Sequence, residues 1–196
     1  MENESSFFAM MSRMKYINRW ALMRNSYSEN ISEHSLEVGM IAHVLALISN
    51  KQCGGHLNAE RAALIGLYHD CTEIITGDMP TPIKYYNTDT KDAYKNVEQQ
   101  AAEELLAMLP EYLRDEYESL FFQREDEEYL WKIVKAADRL SAYIKCVEEE
   151  KTGNREFANA KASTYEKLTQ MDMPEVRIFL REFGGAYKKT LDELKK

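Results

Sequence analysis

An imidazole and two carboxylates lie close together in the first half of the chain, at His69, Asp70 and Glu73. If this stretch is one buried helix, its period of 3.6 residues sends the three side chains out within one quadrant. Two more potential ligands, His34 and Asp138, lie in separate helical segments on either side. Imidazole and carboxylate groups together suit borderline divalent metals. The pattern predicts a metal site between three helices, although a bare His-Asp pair is also typical of a hydrogen-bonded surface or helix end.

Both flanking residues are predicted to face the interior. His34 continues the apolar stripe of its helix, one step of four before Val38. Asp138 stands at the shoulder of an apolar arc, where an uncompensated carboxylate is costly. We therefore expect Asp138 either to bind metal or to form an ion pair with Lys135 or Arg139.

The composition is that of an all-α protein. Glycine (8 residues) and proline (4 residues) are few, strand-like alternation is absent and helix-forming residues dominate. Apolar periodicity and capping residues predict helices over Phe7–Ile17, from Asn30 or Ser32 to about Asn50, from the cap Asn58 to about Thr76, Asp92–Leu109, Pro110–Leu120, Asp126 to about Lys151, Phe157–Met171 and from Pro174 onward.

Length and charge narrow the class of protein. A chain of 196 residues is the size of one domain and buries a sizeable core. We expect one domain over residues 1–196, with a core at about 7–150 and C-terminal helices at about 155–196. The net charge of −8 leaves no basic stripe for a nucleic acid polymer or an anionic membrane. An anionic substrate would need locally placed cations.

Cysteine usage and hydropathy predict a soluble cytoplasmic protein. The three cysteines, Cys53, Cys71 and Cys146, are an odd number without CxxC spacing. Nothing before them resembles a secretory signal, which indicates a reducing compartment. No apolar run in the sequence approaches the roughly 20 residues that span a bilayer.

Two loops stand next to the predicted metal site in sequence. The segment Asn18–Arg24 places a tryptophan between arginines and reads either as a solvated connection or as a binding loop. The segment Thr76–Pro82 carries Asp78 and two prolines after the central helix. This segment is equally consistent with the rigid wall of a pocket and with an ordinary turn.

With these motifs the chain resembles the HD-domain metal-dependent phosphohydrolases, and more narrowly the YfbR-type bacterial 5′-deoxynucleotidases. The resemblance covers most of residues 7–150 and is weak over the last 45 residues. The motifs that carry it are Ile17-Asn18-Arg19-Trp20, Leu22-Met23-Arg24-Asn25, Ser32-Glu33-His34-Ser35, Tyr68-His69-Asp70, Thr76-Gly77-Asp78-Met79-Pro80-Thr81-Pro82 and Asp138.

The resemblance implies a single HD-domain helical bundle that acts as a homodimer. It implies hydrolysis of deoxyribonucleoside 5′-monophosphates to deoxynucleoside and phosphate, with little base preference and with selection against ribonucleotides. One divalent metal ion per chain, cobalt, manganese or copper, would support the reaction.

The resemblance also implies residue roles, which are consistent with the chemistry of each side chain. The arginine offers a planar fork for phosphate, the tryptophan an apolar plate, and Asp78 an acceptor for a sugar hydroxyl. The implied metal ligands are His34, His69, Asp70 and Asp138. The implied catalytic residues are Glu73, as acid or base, and Arg19. The implied substrate-binding residues are Arg19, Trp20, Asp70, Asp78, Met79, Pro80 and Thr81.

Three other functions compete with this one. A triphosphohydrolase or cyclic-nucleotide phosphodiesterase would need several convergent cations, and only Arg19, with Arg24 or Lys84, is placed near the site. A silent nucleotide-sensing module is disfavoured because the ligand set is intact. A di-iron oxygenase needs extra inward histidines, for which His43 and His56 are badly placed.

Overall fold

The computed structural model describes residues 4–84 and 86–195, which are helical with no β-strand among them. The all-α prediction is confirmed. The α-helices are α1 (Phe7–Met11), α2 (Ile31–Gln52), α3 (Ala59–Tyr68), α4 (Glu73–Thr76), α5 (Thr81–Lys84), α6 (Thr88–Ala107), α7 (Glu111–Phe121), α8 (Glu128–Lys151), α9 (Ala158–Gln170), α10 (Pro174–Glu182) and α11 (Leu191–Leu194). Short 3₁₀ segments are Ser12–Tyr16, Glu125–Glu127, Arg155–Phe157 and Gly184–Lys188.

Helix α2 is the centre of the bundle and packs against α3, α8 and α10. It begins after Asn30, whose side chain accepts from the amides of Ser32 and Glu33, while Glu33 completes the predicted capping box. The apolar face of α2 joins those of α3 and α8 in one buried cluster. This arrangement places His34, in the first turn of α2, at the edge of that core.

By length and composition alone, α2 could cross a membrane, which contradicts the expectation that no apolar run approaches that length. More than half of its apolar window, 56%, is buried inside this fold. The hydrophobicity of α2 therefore has an explanation in its central position, because Val38, Ile41 and Leu45 belong to the main core.

Two glycines let α2 and α3 approach closely. A Cβ added to Gly66 would lie 3.0 Å from the Cα atom of Gly39, tighter than most Cβ contacts in proteins. A Cβ at Gly39 would lie 3.1 Å from Cγ of Leu67, so a larger residue at either position requires its neighbours to shift. The contact brings the rings of His34 and His69 together, with centroids 5.2 Å apart.

The prediction of one continuous central helix was wrong. Helix α3 ends at Tyr68, residues 69–72 form tight turns and α4 begins at Glu73. Amides bond to carbonyls three residues back, including Glu73 N to Asp70 O at 3.0 Å. His69 Nδ1 donates to Gly66 O at 2.7 Å, occupying the carbonyl that an α-helix would give to the Asp70 amide. This side-chain hydrogen bond thus tightens the backbone at the turn that carries the predicted metal ligands His69 and Asp70.

A second cluster of buried apolar residues packs against the turn at residues 69–72. Cys71 is packed there with residues of α1 and of α6, among them Phe7 and Leu105. The first predicted helix is split into α1 and a 3₁₀ segment, and α6 begins at Thr88 rather than Asp92 because Asn87 caps it. The C-terminal helices α9 and α10 pack on α8 and α2 respectively.

Candidate active site

Three of the sequence-predicted ligands converge in one group. One ligand atom from each of His34, His69 and Asp70 lies within 4.8 Å of the others. Asp70 Oδ2 is 3.4 Å from His34 Nε2 and 3.1 Å from His69 Nε2. Asp138, on α8, stands just outside this group, with Oδ1 3.2 Å from His34 Nε2. Among the described residues its near neighbour is thus the imidazole of His34, and no ion pair joins it to Lys135 or Arg139.

The donor set fits a divalent cation. The Nε2 atoms of His34 and His69 are buried and have no hydrogen-bond partner among the described residues. Their Nδ1 atoms are both engaged, in His34 with Ser141 Oγ at 3.0 Å and in His69 with Gly66 O at 2.7 Å. Both rings therefore direct a free Nε2 toward carboxylates, as ring orientation in metal sites requires.

Electrostatics keeps these carboxylates charged. Burial alone would raise the pKa of Asp70, but its close contacts with the imidazoles of His69 and His34 hold that pKa well below its ordinary value. The pKa of Asp138 is also lowered, because contacts with His34 outweigh the effect of burial. Burial would lower the pKa of His69, yet the adjacent Asp70 raises it. Charged carboxylates beside imidazole nitrogens are ready ligands for a cation.

The pKa of Glu73 is shifted upward, opposite to those of Asp70 and Asp138. Its side chain is buried, and Oε2 has no hydrogen-bond partner among the described residues. Burial, reinforced by the negative charges of Asp70 and Asp78, raises the pKa of Glu73 to about 9. A carboxyl that holds a proton at neutral pH thus lies one turn from carboxylates that do not.

Arg19 is the cation of the site. Its NH1 lies 3.5 Å from Asp70 Oδ2, and its Nε lies 3.2 Å from Glu29 Oε2. Burial alone would lower the pKa of Arg19, but surrounding carboxylates, Asp138 and Asp70 foremost, raise it. The guanidinium is therefore charged and adjoins the potential metal ligands directly.

Trp20 is held in an unusual backbone conformation beside Arg19. Its φ of 59° lies in the left-handed region, which costs a residue with a side chain about 1–2 kcal/mol. Its Nε1 donates to Glu29 Oε2 at 2.9 Å, and its ring centroid lies 5.2 Å from that of Phe157. One carboxylate, Glu29, thus orients both the arginine and the tryptophan.

The segment after α4 approaches the same place through Asp78. Gly77 takes the left-handed φ of 73° that ends α4. The main chain of Trp20 donates a hydrogen bond to Asp78, whose pKa is nonetheless raised by burial. Met79 and Pro80 lie outside any helix, and Thr81 begins the short helix α5.

The loop that carries Arg19 and Trp20 is anchored by the far end of α8. Glu149 accepts from the amide of Ser26 at 2.9 Å and from Lys145 Nζ at 2.5 Å. Lys145 also donates to the carbonyl of Tyr27 at 2.8 Å, and Asn154 donates to that of Arg24 at 2.8 Å. The loop is thus a rigid, connected part of the fold, which disfavours the reading as a solvated connection.

Sequence reasoning missed several residues that support the site. Glu29, Ser141 and Phe157 each contact a predicted site residue, but they lie 9, 107 and 137 positions away from it. Only Glu29 left a local signal, as an acidic residue just before the capping box of α2. The other two contacts depend on the tertiary fold.

Comparison with known proteins also points to the 5′-deoxynucleotidases. A family model described as 5′-deoxynucleotidase YfbR-like matches residues 6–187. A 5′-deoxynucleotidase of Vibrio vulnificus is 48% identical over 191 residues, covering 97% of this chain and 98% of that protein. A 5′-deoxynucleotidase of Erwinia tasmaniensis is 49% identical over 190 residues, covering 97% and 96%.

Solved structures share the fold at lower identity. An HD-domain phosphohydrolase from Listeria innocua superimposes with a TM-score of 0.81 at 22% identity, covering 97% of this chain and 95% of that one. A cyanophage S-2L HD phosphohydrolase bound to dA and one catalytic Zn²⁺ ion gives a TM-score of 0.63 at 21% identity, covering 93% and 96%.

Proposed function

Because the chain belongs to the YfbR-like 5′-deoxynucleotidase family, we propose that it hydrolyses deoxyribonucleoside 5′-monophosphates to deoxynucleosides and inorganic phosphate. One observation carries the proposal: two buried, unpartnered imidazole nitrogens face a carboxylate that a guanidinium also contacts. This set unites potential metal ligands with a phosphate-binding cation, the two components that phosphomonoester hydrolysis needs.

We assign one divalent metal ion per chain to His34, His69, Asp70 and Asp138. When bound, such an ion lowers the pKa of a coordinated water towards about 7 and polarises a phosphate oxygen. Two imidazoles and two carboxylates suit cobalt, manganese or copper, which we propose, and equally zinc, which the cyanophage protein of this fold holds. Ligand type alone does not choose among these metals, so a metal panel must.

Arg19 is proposed to hold the phosphate. Its guanidinium presents a planar fork that suits two phosphate oxygens. Because NH1 lies 3.5 Å from Asp70 Oδ2, a phosphate gripped there would lie beside the metal ligands. Glu29 lies 3.2 Å from the Nε side of the guanidinium, while NH1 points to Asp70 and the potential metal ligands.

Glu73 is proposed to transfer protons. With a pKa raised to about 9 by burial and by its acidic neighbours, its carboxyl holds a proton at neutral pH. That proton is available to the leaving 5′-oxygen, and the resulting carboxylate is then able to accept one from the attacking water. Its buried, unpartnered Oε2 supports this role.

Selection of the deoxy sugar is proposed to come from Trp20 and the segment Asp78–Thr81. Asp78 accepts from the 3′-hydroxyl, while the indole and the chain at Met79 and Pro80 leave no polar partner for a 2′-hydroxyl. A purely apolar pocket rejects an added hydroxyl only by about 10²-fold. Stronger selection therefore requires steric exclusion, which the proline and the anchored Trp20 loop supply. None of these groups reads the base, so base preference is small.

We further propose a cytoplasmic homodimer. Exposed apolar residues at Leu36, Met40 and Leu47 form one stripe on α2, and exposed Leu64 and Leu67 continue it on α3. The cysteines are free in the structure, which is consistent with a reducing compartment. Residues 1–196 are proposed to form one HD domain, because side chains of α9 and α10 belong to the main core.

The decisive experiment measures phosphate release from a panel of nucleotides after chelation and reconstitution with single metals. We expect turnover of dAMP, TMP, dCMP and dGMP at similar kcat/KM, and much less of AMP. Equal rates on dAMP and AMP would contradict the deoxynucleotidase assignment while leaving the metal site intact. Activity that survives chelation would contradict the metal site itself.

A further inference from the structure

Helix α8 contributes a second polar residue to His34 besides Asp138. Ser141 lies three residues after Asp138, on the same face of the helix. Its hydroxyl is completely buried and lies 3.0 Å from His34 Nδ1. The same hydroxyl donates to Glu37 Oε2 at 2.5 Å, which links α8 back to α2 one turn after His34.

The direction of these hydrogen bonds follows from a count of protons. An ionised carboxylate has no proton to give, so the Ser141 hydroxyl is the donor in its bond to Glu37 Oε2. A serine hydroxyl has one proton, and Ser141 gives it to Glu37, so it accepts from His34. The proton of that bond therefore resides on Nδ1 of His34. In the neutral ring, Nε2 is then without a proton and faces Asp70 and Asp138.

The two histidines reach this state by different means. His69 is oriented by a backbone carbonyl of its own helix, that of Gly66. His34 depends on two side chains, one of them 107 residues away in sequence. The orientation of His34 is thus a separate feature of this chain that substitution can remove.

We propose that Ser141 and Glu37 are positioning residues that hold His34 in its metal-binding tautomer and thereby set the affinity of the site for a divalent cation. This inference rests on the proposed metal site. Partners of this kind around metal-binding histidines are typically worth 10- to 100-fold in metal affinity. Loss of the Ser141 hydroxyl would leave Nδ1 without its acceptor and allow the ring to adopt the other tautomer.

The test measures the dissociation constant of Zn²⁺ by chelator competition, without any nucleotide. Ser141→Ala is expected to weaken Zn²⁺ binding by about 10- to 100-fold. Ser35→Ala is the matched control, because Ser35 follows His34 directly, is equally buried and has an Oγ without a hydrogen-bond partner among the described residues. It should bind Zn²⁺ like the wild type.

A spectroscopic measurement separates positioning from packing. In the Zn²⁺-loaded wild type, ¹⁵N-resolved NMR should detect a His34 Nδ1 proton protected from exchange, and Ser141→Ala should lose that protection. Glu37→Gln keeps an acceptor oxygen for Ser141 and should retain most of the affinity, whereas Glu37→Ala should not. The Glu37 pair keeps the inference testable if Ser141→Ala fails to fold.

Two negative results have different meanings. A folded wild type that binds no Zn²⁺ would overturn the metal site. A wild type that binds Zn²⁺, with Ser141→Ala and Glu37→Ala equal to it in affinity and Nδ1 protection, would overturn the positioning role alone.

Discussion

At the residue scale, two neighbouring carboxyl groups, those of Asp70 and Glu73, differ in protonation. Close contacts with His69 and His34 hold the pKa of Asp70 well below its ordinary range, while burial raises the pKa of Glu73 to about 9. Separation of neighbouring pKa values is how enzymes assign acid and base roles to like residues. Asp70 therefore suits permanent contact with a cation, and Glu73 suits proton transfer.

Replacement of Glu73 by glutamine should lower kcat by about 10²- to 10⁴-fold, because glutamine cannot transfer the proton. The variant should bind metal with normal stoichiometry, measured by metal analysis after dialysis. Asp138→Ala is the contrasting variant, and it should lose metal and activity together. Equal loss of metal in Glu73→Gln would make Glu73 a ligand instead.

Arg19→Ala should impair every accepted nucleotide to a similar degree, because the guanidinium is proposed to hold the phosphate that all of them share. Arg19→Lys should restore activity only in part, since an ammonium lacks the planar fork. Steady-state kinetics on dAMP, TMP and dCMP would measure both effects. A changed order of base preference with unchanged phosphate handling would contradict the assignment.

At the element scale, the spacing of the two histidines depends on how closely α2 and α3 pack. The contact at Gly39 and Gly66 sets that distance, and the hydrogen bond from His69 to the carbonyl of Gly66 sets the turn that follows. Local packing and site geometry are therefore coupled through one glycine.

Gly66→Ala should destabilise the fold by about 1–3 kcal/mol and weaken metal binding, because the added methyl group meets backbone atoms of α2. Urea unfolding and a metal-binding titration would measure the two effects. Gly185→Ala is the matched control, since nothing lies within 4 Å of the Cβ that it adds. A Gly66→Ala protein with wild-type stability would contradict the close approach.

Those elements that depend on local signals were predictable from the sequence. The start of α2 follows from Asn30 and Glu33, and that of α3 from Asn58. The break at residues 69–72 was not predictable, because it arises from a histidine side chain bonding to its own helix. The types of the ligand residues and the helices that carry them were likewise predictable from the sequence. The groups that orient those ligand side chains were not. Ser141 looks like any small residue on a helix until the fold brings it to His34.

At the scale of the whole molecule, an apolar surface on α2 and α3 is exposed and has no partner among residues 4–84 and 86–195. Leu67 lies beside Gly39, so the exposed leucines of α3 adjoin the exposed stripe around Met40. The proposed homodimer would cover this surface in water.

Met40→Glu should therefore shift the protein from dimer to monomer, because it places a charge in the buried centre of the proposed interface. Light scattering coupled to size exclusion would measure the mass. Tyr112→Glu is the control, as Tyr112 is an isolated exposed aromatic on α7. A Met40→Glu protein of unchanged mass would exclude this surface as the interface.

A buried ion pair within α8, between Lys145 and Glu149, also holds the chain at Ser26 and Tyr27. Burial alone would raise the pKa of Glu149, but Lys145, Asn154 and Ser26 lower it to about 2. Because the folded pKa lies below the ordinary 4.5, this group stabilises the fold above pH 4.5 and loses that contribution as the pH falls towards 2. The contribution at neutral pH is roughly 3 kcal/mol.

Glu149→Gln should accordingly be less stable than the wild type at pH 7, and the difference should shrink between pH 4.5 and pH 2. Urea unfolding at several pH values would measure it. Glu150→Gln removes an exposed carboxylate next door and should change little. A constant difference across this pH range would contradict the low pKa of Glu149.

The anchoring of the Trp20 loop has a consequence for the order in which a growing chain acquires its properties. All four proposed ligands lie within residues 34–138, whereas the loop is fixed by Lys145, Glu149, Asn154 and Phe157, more than 110 residues after it. Closing so long a connection carries an entropic cost that only the later residues offset. A nascent chain that ends near residue 140 would carry all four proposed ligands in its sequence but none of the residues that fix the loop. Fixing the Trp20 loop, and with it the proposed selection of the sugar, would therefore wait for the synthesis of residues 145–157.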